Sequence, residues 1–339
     1  VTGVQTCALP IWDFLNEQSL PRLIFINKMD RENANFSKAV NALREKFGNK
    51  IIPIQLPIGE AEKFAGVVDI INKKAWQDGK EVPIPAELSG EVDNYYQMLV
   101  EAVAESDEEL LDKYLENDTL SPEDLLSGFR RETMKGEIVP VLCGSAVKNM
   151  GIAELMAAII ETLPSPAAVE TVAAEVPGKG ETVELKASRE EAPAALVFKT
   201  MADPFVGKLT LFRVYSGVVK SDSHLFNSSR NQDERFGQLF LIKGKNQIPV
   251  TEIGAGDIGA VAKLQVTATG DTLCTKERPV ILAGIDFPKP RLVMAVYPKG
   301  KSDEEKISSG LLRLVEEDPT IKVEKDTTTK ELILAGLGD

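Results

Sequence analysis

The chain has 339 residues, 43% of them hydrophobic and 27% charged, with a formal net charge of −13. That is length for two or three domains with real cores, and a charge too negative for holding nucleic acid by bulk electrostatics. No apolar run exceeds a strand in length, which excludes a transmembrane span, and Cys7, Cys143 and Cys274 show neither paired nor metal-like spacing, which predicts a reducing, cytoplasmic setting.

Residues 1–11 carry no helical period and no signal-peptide layout, and are read as a truncation or assembly scar outside the fold. Arg22-Leu23-Ile24-Phe25-Ile26 follows Pro21 as a short apolar run, the pattern of a strand buried on both faces of an α/β sheet. It delivers Asn27-Lys28-Met29-Asp30 to its carboxyl end, where such sheets bind ligands. Guanine suits that spacing. Its N1–H and N2 amino group are adjacent donors that one carboxylate, Asp30, can accept together, whereas adenine N1 is an acceptor that repels the same group. Asn27 can reach the N7 side of the base and tie neighbouring loops, and the Lys28 stem can lie across the ring.

Val40, Leu43 and Phe47 then recur at helical spacing, with Gly48 at the place of a C-terminal cap. Residues 51–71 are strand-like, broken by Pro53 and Pro57. Residues 87–137 hold 15 acidic and 4 basic side chains, so 11 of the 13 net negative charges sit there. Within them Val92, Tyr95, Tyr96, Leu99 and Val103 line one helical face, and Leu110, Leu111, Tyr114 and Leu115 the next. Ser121-Pro122-Glu123-Asp124 starts a third helix, which carries Leu125, Leu126 and Phe129. The apolar positions read as core; the acids read as a solvated face or as a docking surface for a lysine-bearing partner.

A second apolar strand, 137–143, ends in Gly144-Ser145-Ala146, small residues that let a backbone N–H approach the guanine O6. The block at about 50–135 lies between the two strand ends and is therefore read as an insertion. Ile152, Leu155, Met156, Ile159, Ile160 and Leu163 form the inner face of a closing helix stopped by Pro164 and Pro166. Residues 167–192, poor in large apolar side chains, read as a linker.

From 193 to 287 short Val-, Leu-, Phe- and Tyr-rich runs alternate with turn residues such as Asp203-Pro204, Ser216-Gly217 and Asn227-Ser228-Ser229, the rhythm of an antiparallel barrel. His224, the one histidine, falls in such a run and reads as an ordinary surface or packed side chain. Residues 288–339 open with Pro288 and Pro290 and form a truncated α+β unit. It has a strand at 291–297, a helix capped by Ser302 with Glu305 and faced inward by Ile307, Leu311, Leu314 and Val315, and strands at 321–323 and 331–334. Half of that sheet lacks cover, which predicts the least stable part of the molecule. Lys299-Gly300-Lys301-Ser302 imitates the end of a phosphate-binding loop, but Ala295 stands where its first glycine belongs. The 339 residues contain no Gly-x-x-x-x-Gly-Lys-Ser/Thr run, and no Asp-x-x-Gly precedes Asn27.

Asn27-Lys28-x-Asp30 with Ser145-Ala146 resembles the fourth and fifth guanine-nucleotide motifs of the GTPase superfamily. The wording Asn27-Lys28-Met29-Asp30-Arg31 through Ala34-Asn35-Phe36, and Gly207-Lys208-Leu209-Thr210 through Arg213-Val214-Tyr215-Ser216-Gly217, resembles bacterial elongation factor G or a close paralogue. The resemblance implies a multidomain chain: a partial P-loop-type α/β GTPase domain at 12–166 with an α+β insert, an antiparallel β-barrel second domain, and a partial ferredoxin-like α+β third domain. It implies a translation factor that couples GTP hydrolysis on the ribosome to translocation of tRNA and mRNA. Asn27, Lys28 and Asp30, with the Ser145 and Ala146 backbone, are implied to bind the base of GTP or GDP. The Mg²⁺ ligands and the histidine that orients the attacking water are not in these residues, which implies no catalytic residue, no metal ligand and no activity in this chain alone. The implied partners are ribosomal RNA through the barrel, the ribosomal stalk protein through the acidic insert, and tRNA and mRNA indirectly, for a cytoplasmic monomer. The alternatives are a ribosomal-protection or release-type GTPase, and a non-hydrolysing ribosome-binding module.

Overall fold

Two compact units divide the chain, Val1–Pro164 and Ser165–Asp339, and the computed structural model describes residues 8–168, 171–203, 207–298, 300 and 304–338. Residues 1–7, Pro204, Lys299, Lys301 and Ser302, with its expected capping of Glu305, lie outside the described residues. Among the described residues no helix is long and apolar enough to cross a membrane.

The first unit runs α1 (Ala8–Glu17), β1 (Ile24–Ile26), α2 (Phe36–Phe47), β2 (Ile51–Pro53), β3 (Gln55–Ile58), β4 (Gly66–Asp69), β5 (Lys74–Gln77), β6 (Lys80–Val82), α3 (Ser89–Ala104), α4 (Glu108–Asn117), α5 (Pro122–Lys135), β7 (Val139–Cys143) and α6 (Ile152–Thr162). β1, β7 and β2 form a parallel sheet in that order. The central strand β7 is buried throughout, whereas in β1 only Ile26 is. The expectation of a first strand buried on both faces is corrected: β1 stands at the edge of the three described strands, and there Ile24 and Phe25 are half-covered.

Two boundaries also move. The stretch set aside as a scar contributes α1 from Ala8 onward, because Trp12 stacks on Phe47 of α2 with ring centroids 3.9 Å apart. The buried Arg22 guanidinium lies 4.8 Å from the Trp12 ring centroid and donates to the carbonyls of Leu15 and Leu20, satisfying the helix end. The inserted block starts beyond Pro53 rather than at about 50, since Ile51–Pro53 pairs with β7 in the main sheet. It consists of the antiparallel sheet β3-β4-β5-β6 and the helices α3 to α5.

Helix ends follow the sequence signals. Gly48, at φ 87°, returns its N–H to Arg44 O, and Ser121 Oγ accepts from Asp124 N at the start of α5. Val92, Leu99, Val103, Leu110, Leu125 and Phe129 are buried as expected, but Leu115 is exposed near the C-terminal end of α4. The closing helix α6 departs further. Ala158 and Thr162 face the core, while Met156, Ile159 and Ile160 face solvent. Its sequence is apolar nearly all round, so the period does not select a face; the neighbouring α5 does, with Arg130 Nε donating to Glu161 O.

The second unit continues with β8 (Val172–Val176), β9 (Glu181–Leu185), β10 (Ala194–Asp203), β11 (Gly207–Ser216), β12 (Val218–Lys220), β13 (His224–Asn227), β14 (Gln232–Arg235), β15 (Leu239–Lys243), β16 (Asn246–Val250), β17 (Glu252–Gly254), β18 (Ile258–Ala262), β19 (Thr272–Cys274) and β20 (Ile281–Leu282). An eight-stranded antiparallel sheet, β14-β13-β19-β10-β11-β18-β15-β16, and the ladder β12-β17 enclose a core that includes Phe212 and Phe236, packed edge to face at 5.8 Å. The expected linker is corrected: β8 and β9 form a hairpin paired to β20, because Ala174 and Leu185 pack on Leu196, Val280 and Leu282. His224 is exposed.

The unit ends with β21 (Leu292–Val296), α7 (Glu304–Glu317), β22 (Lys322–Lys325) and β23 (Leu332–Gly336), in a sheet ordered β21-β23-β22. Leu311 of α7 is buried, but Leu314, expected on the inner face, is exposed.

Candidate guanine-reading site

β1 and β7 lie side by side, Ile24 opposite Val141 and Ile26 opposite Cys143. The ladder runs one step past both strands: Gly144 N donates to Ile26 O and Met29 N to Gly144 O, each at 3.1 Å. Two loops distant in sequence therefore leave the sheet as neighbours. Gly144 has to be glycine, since a Cβ there would stand 2.4 Å from Met150 O and 2.7 Å from the Phe25 ring.

Met29 is buried in the main core and anchors the first loop, which leaves Lys28 exposed, at φ 63°, and Asp30 half-exposed on either side of it. In the second loop Ser145 and Met150 exchange both backbone hydrogen bonds, at 2.9 and 3.0 Å, presenting Ala146, Val147 and Lys148 to solvent. Asn27 joins the loops. Its Oδ1 accepts from Lys28 N at 2.7 Å and from Ala146 N at 3.0 Å, across 119 residues of chain. Those two donors identify the oxygen end of the amide, and Nδ2 has no partner among the described residues.

The buried Ser145 hydroxyl hydrogen-bonds to the Asp30 carboxylate. That bond, aided by the positive charges of Lys148 and Arg31, outweighs partial burial and holds Asp30 below the ordinary carboxylate range. Asp30 is therefore ionised and purely an acceptor at neutral pH.

All five residues singled out in the sequence converge here, with one change of role. The N–H groups of Ser145 and Ala146, assigned above to the purine oxygen, already donate to Met150 O and Asn27 Oδ1. Ala146 N–H can meet a ligand only by sharing its bond with Asn27, and Ser145 acts through its hydroxyl. Sequence reasoning missed that hydroxyl and the field of Lys148; the short Ser-Ala-x-Lys spacing was the available signal.

A parallel α/β sheet presenting an ionised aspartate and an asparagine-bridged loop at its carboxyl edge, followed by an antiparallel barrel and an α+β sheet, defines a translational GTPase architecture. Residues 1–165 match the family model for the elongation factor Tu GTP binding domain, 192–276 that for elongation factor G domain 2, and 287–339 that for elongation factor G domain III. A protein of known crystal structure from Thermus thermophilus is 30% identical, with a TM-score of 0.81 over 99% of this chain and 49% of that one. This chain thus spans about half the length of that relative. It belongs to the elongation factor G family of translational GTPases.

Proposed function

We propose that Asn27, Lys28, Asp30, Ser145 and Ala146 read the base of GTP or GDP in a factor that couples GTP hydrolysis on the ribosome to movement of tRNA and mRNA. The observation that carries this is the ionised Asp30 carboxylate, aimed by Ser145 beside a loop tied down by Asn27. A carboxylate has about four lone-pair sites, so the Ser145 bond leaves enough to accept both N1–H and the N2 amino group. A site built on such donors rejects a base lacking them by roughly 10⁴-fold. Asn27 Nδ2, without a partner among the described residues, points the recognition of N7 to that side chain.

Hydrolysis requires Mg²⁺, a cradle for the β and γ phosphates and an in-line water. None of the five residues supplies these, and reading the base assigns no catalytic step to this chain. The acidic insert suits a lysine-bearing partner surface, and the family resemblance implies the ribosomal stalk protein as the partner of this insert. Its Lys113 is paired with Glu109 and Asp124, Arg131 with Asp107 and Glu132, Lys135 with Glu132, and Asp93 with Lys73, which leaves the other carboxylates of 87–137 without an ion pair among the described residues. The barrel is assigned to ribosomal RNA, in the cytoplasm.

Calorimetry and phosphate-release assays test the division of labour. The 339-residue chain is expected to sediment with ribosomes in a salt-dependent manner, to bind GDP feebly and to release no phosphate from GTP. Submicromolar GDP affinity, or ribosome-stimulated phosphate release, contradicts it.

A further inference from the structure

A groove runs between α6 and the strands β3 to β5 of the insert. Two cavities make it up, of about 380 and 410 Å³, and Trp76, Ala153 and Glu154 line both. The first continues over Ala157 and Ala158 to Glu161, with Ile54, Leu126 and Phe129 also in its wall. The second passes Gly66 and Val67 to reach Met150, which closes the Ser145 loop by two hydrogen bonds. Apart from Leu126 and Phe129, no residue lining the groove belongs to 87–137, so it is distinct from the acidic face of that segment.

The groove holds unsatisfied groups of two kinds. Glu154 and Glu161 are seven residues apart on α6, which sets them on one side of the helix about 10 Å apart. Neither carboxylate is in an ion pair among the described residues, and the nearby cations are engaged elsewhere: Lys74 pairs with Glu81 at 3.3 Å, and Arg130 Nε donates to Glu161 O. Gln55 is the second kind. It is only 3% exposed, and its Oε1 accepts from Cys143 N at 3.4 Å, which identifies the oxygen end of the amide. Nε2 has no partner among the described residues and is left to the groove that Gln55 lines. A buried donor of this kind requires an acceptor from outside.

We propose that this groove binds an extended, lysine-bearing segment of a partner protein. Two lysines three residues apart on such a segment stand about 10 Å apart, the separation of Glu154 and Glu161. A main-chain carbonyl of the segment accepts from Gln55 Nε2, and the half-buried Trp76 ring, which lines both cavities, receives a lysine stem or its ammonium. Nucleic acid does not suit the first cavity, whose charges outside ion pairs are all carboxylates.

The probe is the peptide acetyl-Lys-Ala-Ala-Lys-amide, titrated at low salt into the isotope-labelled 339-residue chain and followed by NMR, with acetyl-Gln-Ala-Ala-Gln-amide as the uncharged control. The expected Kd is about 0.1–1 mM, with shifts at the Gln55 side-chain amide, the Trp76 indole N–H and the backbone amides of Ala153 to Thr162. The control peptide binds at least about tenfold more weakly, and Glu154→Gln with Glu161→Gln weakens the lysine peptide at least about fivefold. Shifts confined to α3 and α4 assign the cation to the acidic face instead and overturn the proposal. Equal binding of the two peptides overturns it too, as does an affinity indifferent to the two substitutions, or no response at about 10 mM peptide.

Discussion

A single hydroxyl sets the state of Asp30. Ser145→Ala removes the largest influence lowering its pKa, so the Asp30 carboxylate, followed by NMR across a pH titration, should move up toward the ordinary value; an unchanged titration contradicts the assigned bond. Glu234 shows the same physics inside the barrel. Burial pushes its pKa up, but the N–H groups of Gln265, Val266 and Thr267 and the Thr267 hydroxyl prevail, and the net shift is downward. A carboxyl whose folded pKa lies below its unfolded one stabilises the fold above the unfolded value, and that stability is lost as pH falls through the folded value. Urea midpoints should therefore hold from neutral pH down to the ordinary carboxylate range and fall below it, and Glu234→Gln should flatten that decline while costing about 1–3 kcal/mol near neutrality. Asn27 and Asp30 could be singled out as candidates because a fixed short spacing after an apolar strand places them together at its carboxyl end, where the structure has them. Glu234 could not, because Gln-Asp-Glu-Arg reads as a solvated strand and the N–H groups that need it come from more than thirty residues downstream.

Elements were legible where one face alone is apolar, as in α2, α3 and α5, each with a core stripe at helical spacing. The period failed at α6, apolar on nearly every side, and at the β8–β9 hairpin, whose alternation is carried by Ala, Thr and Val between charged residues. The junction of β7 with its loop depends on close backbone approach. Gly144→Ala should lower unfolding free energy by roughly 2–4 kcal/mol in denaturant titrations, since the obstacle is backbone and a packed ring rather than a flexible tip. Beside the last sheet, Leu311 of α7 is the one buried apolar side chain among the described residues of 288–339. Hydrogen exchange at dilute concentration should show β21, β22 and β23 opening before the barrel strands β10 and β11; equal protection contradicts the view that this sheet is half-covered.

At the scale of the whole molecule, the change from helical periods to evenly spaced short runs marked the passage from α/β to β-rich architecture. Pairing order was beyond that signal: nothing local in Ile51-Ile52-Pro53 says that it joins β7, a strand more than eighty residues away, rather than the insert that follows. What unites the first unit is the bridging of two loops by Asn27, proposed above to read one base, and NMR titration with GDP and with ADP tests that proposal most directly. At about millimolar nucleotide, in keeping with feeble binding, GDP should shift the amides of Asn27 to Asp30 and Ser145 to Lys148 while ADP leaves them unchanged, and Asp30→Asn should abolish the GDP response. Equal responses to the two nucleotides, or shifts confined to other parts of the chain, would contradict it.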